Sequence, residues 1–162
     1  MKKGNKIVLI GLLISISLGI VREISAVSIG SQFGEIIMEN LRLGETYNTR
    51  EMVNLPLLIT NHGDQKITIF LTVLKPQGLQ LRKGYEPIPD TNWIELSIDR
   101  MEVEPGGKGA ADVIIHVPSD EQYARRRYQV LIESVGKGGG NIAGGVYHRL
   151  MFSIAPSQAQ VK

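Results

Sequence analysis

The sequence has no cysteine in its 162 residues, so no disulfide framework and no thiolate-based metal or redox centre can form. Aromatic residues make up only 6%, with a single tryptophan at Trp93. Histidine is as scarce: His62, His116 and His148 are the only neutral nitrogen ligands, scattered along the chain with no H-x-H pair. A transition-metal site therefore has no ligand spacing to rest on. No G-x-S-x-G elbow occurs, and the acidic residues stand singly, so no hydrolytic centre is recognisable and no cofactor or metal is expected. The stretch 136–145 holds six glycines in ten residues, but it lacks both the G-x-x-x-x-G-K-[ST] spacing and the following helix of a phosphate cradle. It reads as a mobile loop between strands, a place for a contact rather than for chemistry. Heptads, internal repeats and a second domain are absent from the pattern.

What is present begins with a leader. Residues 1–26 place Lys2, Lys3 and Lys6 before the apolar run 7–21 and the small pair Ser25-Ala26 after it, the layout of a secretory signal. The run is short against the ~20 residues a spanning helix needs. Cleavage is expected, leaving a chain that starts near Val27, with an uncleaved anchor as the alternative. Removal takes Lys2, Lys3, Lys6, Arg22 and Glu23, so the 18 basic residues become 14 and the 16 acidic ones 15. The basic isoelectric point belongs to the leader, and nothing in the remainder points to nucleic acid or an anionic membrane surface. The one basic run, Arg125-Arg126-Arg127, reads as a solvated turn.

The remaining chain alternates at the two-residue period of strands. Its clearest element is 53–74, two alternating segments around Asn61-His62-Gly63-Asp64, which reads as a β-hairpin. Pro56 within its first segment demands an edge or a bulge. Residues 27–34 form a loose lead-in and 35–41 a first strand. Residues 76–92 carry too many prolines and glycines for regular structure and should cross between sheets. Further rows follow: Ile94, Leu96 and Ile98; a tight turn at 102–107; Ala111, Val113, Ile115 and Val117; a helical turn capped by Ser119; Tyr128, Val130 and Ile132; and Val146, His148, Leu150, Phe152 and Ile154. The expected fold is all-β, a single immunoglobulin-like β-sandwich of about seven strands over 35–155, with a flexible tail at 156–162.

Val103-Glu104-Pro105-Gly106, the alternation that ends at His116-Val117-Pro118, and Arg127-Tyr128 carry a resemblance. The chain resembles immunoglobulin-like domains of bacterial envelope proteins, most of all the first domain of periplasmic pilus chaperones, over about 35–154. The resemblance implies a periplasmic or surface location and capture of a pilin's terminal carboxylate by an Arg and a Lys in a cleft between two domains. This sequence shows one such domain, no basic residue on strand 35–41 to match the Arg, and Arg149 as a loose counterpart of the Lys.

If the rows above face inward, Phe70, Leu74, Leu131, Val135, Tyr147 and Met151 point outward on neighbouring strands, beside Arg149. Such a contiguous patch marks a protein interface or a surface that the 76–92 loop covers. The expected function is an exported, noncatalytic module that binds another envelope or surface protein and assists assembly of a surface structure or pilus. The alternative is an adhesion or carbohydrate-binding module.

Overall fold

The computed structural model describes residues 27–138 and 143–157. The leader at 1–26, the glycine-rich tip at 139–142 and the tail from 158 to 162 lie outside the described residues. The remainder is a two-layered sandwich. One layer joins two three-stranded sheets. In the first, β1 (Ile29–Ser31) and β9 (Lys108–Ala111) flank β4 (Leu57–Asn61); in the second, β3 (Thr46–Asn48) and β7 (Ile94–Leu96) flank β10 (Val113–His116). The other layer runs β2 (Glu35–Leu41), β12 (Ala143–Ile154), β11 (Arg127–Lys137), β5 (Ile67–Leu74), β8 (Arg100–Val103), with the two-residue β6 (Glu86–Pro87) laid parallel on the end of β11. β1/β2 and β7/β8 are runs that change layer at a bend, β9/β10 is interrupted at Asp112, and β3/β4 share a layer on either side of the helical segment Thr49–Val53; counted by these runs, the twelve described strands reduce to seven plus β6. Their distribution between the layers is the immunoglobulin-like one.

The largest departure from the sequence reading concerns 53–74. Its two segments do not pair: β4 lies between β1 and β9, and β5 lies between β11 and β8 in the opposite layer. Leu57 and Ile59 on one strand and Ile67, Ile69 and Leu71 on the other are all 5% exposed or less, facing each other across the core. Alternation records which face is buried, and it does so equally for a hairpin and for a crossover between layers. Asn61 makes the crossover tight. Its amide, fully buried, donates to Gln65 O at 2.7 Å and Val103 O at 3.1 Å and accepts from Gly63 N at 2.9 Å, so the turn's backbone is satisfied without a ladder.

Other differences are local. The chain at the start of the first alternating segment winds into a short helix, α1 (Thr49–Val53), because the Asn48 side chain accepts from Arg50 N and Asn54 closes the turn in the left-handed region at φ 53°. Pro56 thus falls in the linker before β4, where it removes no ladder bond. The lead-in contains β1, residues 100–103 form β8 rather than leading into the turn, and Asp120, not Ser119, caps the single 3₁₀ turn Glu121–Tyr123. Of the glycine tract, residues 136–137 and 143–145 are strand. Gly136 and Gly144 are opposite each other in the β11–β12 ladder, and a Cβ on Gly136 would sit 2.9 Å from Ile29 Cγ2. Glycine is needed there so that the lead-in can pack against the sheet.

Of the expected row Ile94, Leu96 and Ile98 only Ile94 is buried, because β7 ends at Leu96 and Ile98, 39% exposed, lies in the bend before β8; Val146 is half-buried, and the other inward positions are as expected. Ala111, Val113, Ile115, Val117, Tyr128, Val130, Ile132, Leu150, Phe152 and Ile154 are all buried. Trp93 belongs to this core, stacked edge-on against Tyr123 at 4.7 Å and Tyr128 at 5.5 Å. Among the described residues no helix is long and apolar enough to cross a membrane.

Candidate functional site: the outer face of the β2–β12–β11–β5 sheet

Strand register brings the outward residues into rows. Phe70, Val135 and Gly145 form one; Thr72, Glu133 and Tyr147 the next; then Leu74, Leu131, Arg149 and Glu35; and finally Gln129, Met151 and Ile37. All seven residues singled out from the sequence therefore share one face as near neighbours. They do not share one environment. Tyr147 is 51% and Phe70 36% exposed, Leu74, Val135 and Arg149 are half-buried, and Leu131 and Met151 are 2% exposed.

The division is made by residues 77–87, a strap that leaves the end of β5 and crosses the outer face. Gln129, fully buried on that face, holds it: the side-chain carbonyl accepts from Arg82 N at 2.8 Å and the amide donates to Gln80 O at 2.8 Å, while Ile88 N donates to Gln129 O at 3.0 Å. Exposed contacts fasten the margins. Arg82 pairs with Glu35 at 3.2 Å, Arg126 with Glu86 at 2.9 Å, and Arg127 donates to Tyr85 Oη at 3.0 Å with its guanidinium 4.6 Å from that ring. The basic run 125–127, expected as a solvated turn, thus supplies two fasteners. Covering by 76–92 extends over Leu131 and Met151, and it leaves Phe70, Val135 and Tyr147 open.

Polar groups trim the open half. Lys137 Nζ lies 5.1 Å from the Phe70 ring centroid, and Tyr147 donates its hydroxyl to Glu133 Oε1 at 2.9 Å, a bond that raises the phenol's pKa. Arg149 and Arg82 both approach the same Glu35 oxygen, and Arg149 Nε is buried without a hydrogen-bond partner. Alongside lies a free rim. The parallel ladder between β12 and β2 starts at Arg149 and Glu35. Toward the hairpin end, residues 144–148 are laddered only to β11 among the described residues. This rim, Gly144 to His148, carries no acidic residue, lysine or arginine, whereas the edge strands β8 and β2 carry Arg100 and Glu102, and Glu35 and Glu39. Charges of that kind are how sheets discourage added strands.

The histidines do not converge. His62 sits in the crossover turn, and His116 lies on β10 between Glu95 Oε2 at 2.8 Å and Thr46 Oγ1 at 3.1 Å. His148, 1% exposed, meets Ser31 Oγ at 3.1 Å and Phe33 O at 3.2 Å through Nδ1 and Ser134 Oγ at 2.9 Å through Nε2. Ser134 and Lys137 have S-x-x-K spacing, a motif the sequence reading passed over, but they face opposite sides of β11, the serine inward and the lysine outward. Among the described residues no three acidic or histidine side chains gather to hold a metal.

His148 yields a pH prediction. Burial lowers its pKa, opposed by the bond to the Phe33 carbonyl. Below about pH 6.5 the unfolded chain takes up a proton that the folded protein refuses, so folding stability should fall as pH drops through that range and be flat in this term above it. Denaturant unfolding at pH 7.5, 6 and 5 reads the slope. His148→Gln should remove much of it; an unchanged slope would place the sensitivity elsewhere.

No known family profile matches the sequence, and no curated protein matches it. Solved structures do. The PapD-like domain 7 of human CEP192 superposes with a TM-score of 0.60 at 15% identity over 80% of this chain and 87% of its own. The fold is PapD-like. A Bacteroides ovatus protein with a provisional carbohydrate-binding description reaches TM-score 0.60 at 12% identity, over 79% of this chain. The periplasmic chaperone SfaE reaches 0.53 at 10% identity, over 83% of this chain. The chain spans 37% of the Bacteroides protein and 61% of SfaE. At such identities the likeness establishes the PapD-like sandwich, which periplasmic pilus chaperones share, and leaves its use to be argued from the chain's own surface.

Proposed function

We propose that this protein is an exported, noncatalytic binding module of a bacterial envelope, and that it holds another envelope or surface protein against the outer face of its second layer during assembly of a surface structure. The observation that carries this reading is the open half-face of Phe70, Val135 and Tyr147 lying beside an uncharged, unladdered rim of β12. An exposed apolar patch next to a free strand edge suits a partner that adds a strand and seats side chains on the patch. The leader-like residues 1–26 and the PapD-like fold of the periplasmic chaperones support the location.

The test is site-directed photo-crosslinking from position 145 in the native envelope. The unsubstituted face is expected to crosslink one discrete protein, and Phe70→Ser combined with Tyr147→Ser to reduce that product about tenfold, the size of a hot-spot loss. Binding to a glycan array with no protein crosslinked would favour the carbohydrate reading, for which exposed Tyr147 is the available platform because Trp93 is in the core.

A further inference from the structure

The geometry points to the strap as a removable cover over a second half of the docking face, so that the protein presents a small surface when the strap is closed and a contiguous larger one when it opens. The inference rests on the proposed docking role of this face. Three observations lead to it.

First, the strap is fixed at its ends and lightly held between them. Pro76 and Ile88 are buried, Ile88 at 1% exposure within the main core, and Lys75 Nζ bonds to Pro89 O, which draws the two ends together. Residues 77–87 between them include no fully buried side chain, and Leu79 is wholly exposed. Second, the bends are at Gly78 (φ 50°) and Gly84 (φ 87°), with nothing within 4 Å of where a Cβ would stand, so the turns are set by backbone freedom and not by packing. Third, the hold on the sheet is polar. The Gln129 amide bonds only to Gln80 O and Arg82 N, both on the strap, and apart from the two-residue β6–β11 ladder at its far end the remaining fasteners are surface pairs that water can replace. A polar amide set among Leu131, Met151 and Leu74 is out of place on a surface meant to be permanently dry. It suits a surface that is sometimes wet, because open Gln129 is satisfied by solvent and closed Gln129 by the strap.

Opening would join Leu131 and Met151 to Phe70, Leu74, Val135 and Tyr147, and on the far side to Ile37, which is already 51% exposed. A partner strand seated along the β12 rim would gain these side chains, and the cost of lifting the strap would be set against that gain.

Trypsin reads the opening directly, since Arg82 and Lys83 lie in the strap and cleavage follows the open population. In the full-length processed protein, Gln129→Leu is expected to raise the nicking rate at these two bonds by about tenfold, with matching gains in strap amide exchange and in fluorescence of the apolar dye ANS. A second variant, Glu86→Gln with Tyr85→Phe, loosens only fasteners at the strap's margin and should act in the same direction without touching a buried group or the Glu35–Arg149 pair. Unchanged nicking in both variants would make the strap a fixed wall and overturn the inference. In the crosslinking assay the opened variants should capture more of the Phe70-dependent product. Faster nicking with capture unchanged or reduced would overturn the covering role while leaving the docking face intact. Capture indifferent to Phe70 and Tyr147 would instead remove the docking face itself, and the strap's role with it.

Discussion

Phe152→Ala is expected to cost about 3–5 kcal/mol, the range for emptying a large aromatic site in a packed core. Phe152 is fully buried on β12, its ring 5.9 Å from Tyr128, which in turn meets Trp93. It also pairs in register with Tyr128 on β11 and Met38 on β2, so the cavity would open between three strands, with Met38 the one adaptable neighbour to fill part of it. For a domain of this size that corresponds to a fall in thermal midpoint of roughly 10–20 °C. Scanning calorimetry or urea unfolding measures it, and a loss below about 1 kcal/mol would mean that the aromatic cluster is not the packed centre described here.

The second large effect separates two residues that the sequence treats alike. Leu131→Ser should cost about 3–5 kcal/mol, because the site is 2% exposed and the substitution both deletes methyl groups and buries a hydroxyl beneath the strap. Phe70→Ser, at a position 36% exposed, should stay within about 1 kcal/mol of the parent. Equilibrium unfolding of the two single variants is sufficient. Similar small losses for both would place Leu131 on an open surface, and a large loss for Phe70 would make the open half-face ordinary core.

Much of the sandwich is legible in the residues because a strand between two layers writes its burial in alternate positions. Val113 and Ile115, Val130 and Ile132, Leu150 and Phe152 all fall where parity puts them. Pairing is written far less clearly. The segments before and after Asn61 have the composition of a hairpin, and only the buried amide of Asn61, bonding to Val103 across the crossover, sends them to different layers. The helical turn at Thr49–Val53, just before the apolar segment of β4, is likewise decided by two capping asparagines and not by periodicity. The outward patch follows from the same parity, which is why all seven candidate residues share a face. Its division was not readable, since it depends on a proline- and glycine-rich segment whose course is set by one outward polar residue, Gln129. A glutamine flanked by Tyr128 and Val130 in a strand is the signal that was there to be noticed.

The parallel ladder between β2 and β12 has a consequence for how the chain is completed. Glu35 is the beginning of the first long strand, and its ladder partner Arg149 is in the last. Chains are made from the N-terminus, so β2 is finished long before any strand that can bond its backbone exists. Every other long pairing in that layer, β5 with β8, β5 with β11, β11 with β12, can be formed while β2 still waits. The nascent molecule therefore passes through a stage in which Ile36, Met38 and Leu41 are synthesised but unhoused, and the twelve residues of β12 act as the closing piece of the fold. Ribosomal pausing or premature termination within β12 would strand that early apolar segment in water, where an unpaired strand invites aggregation.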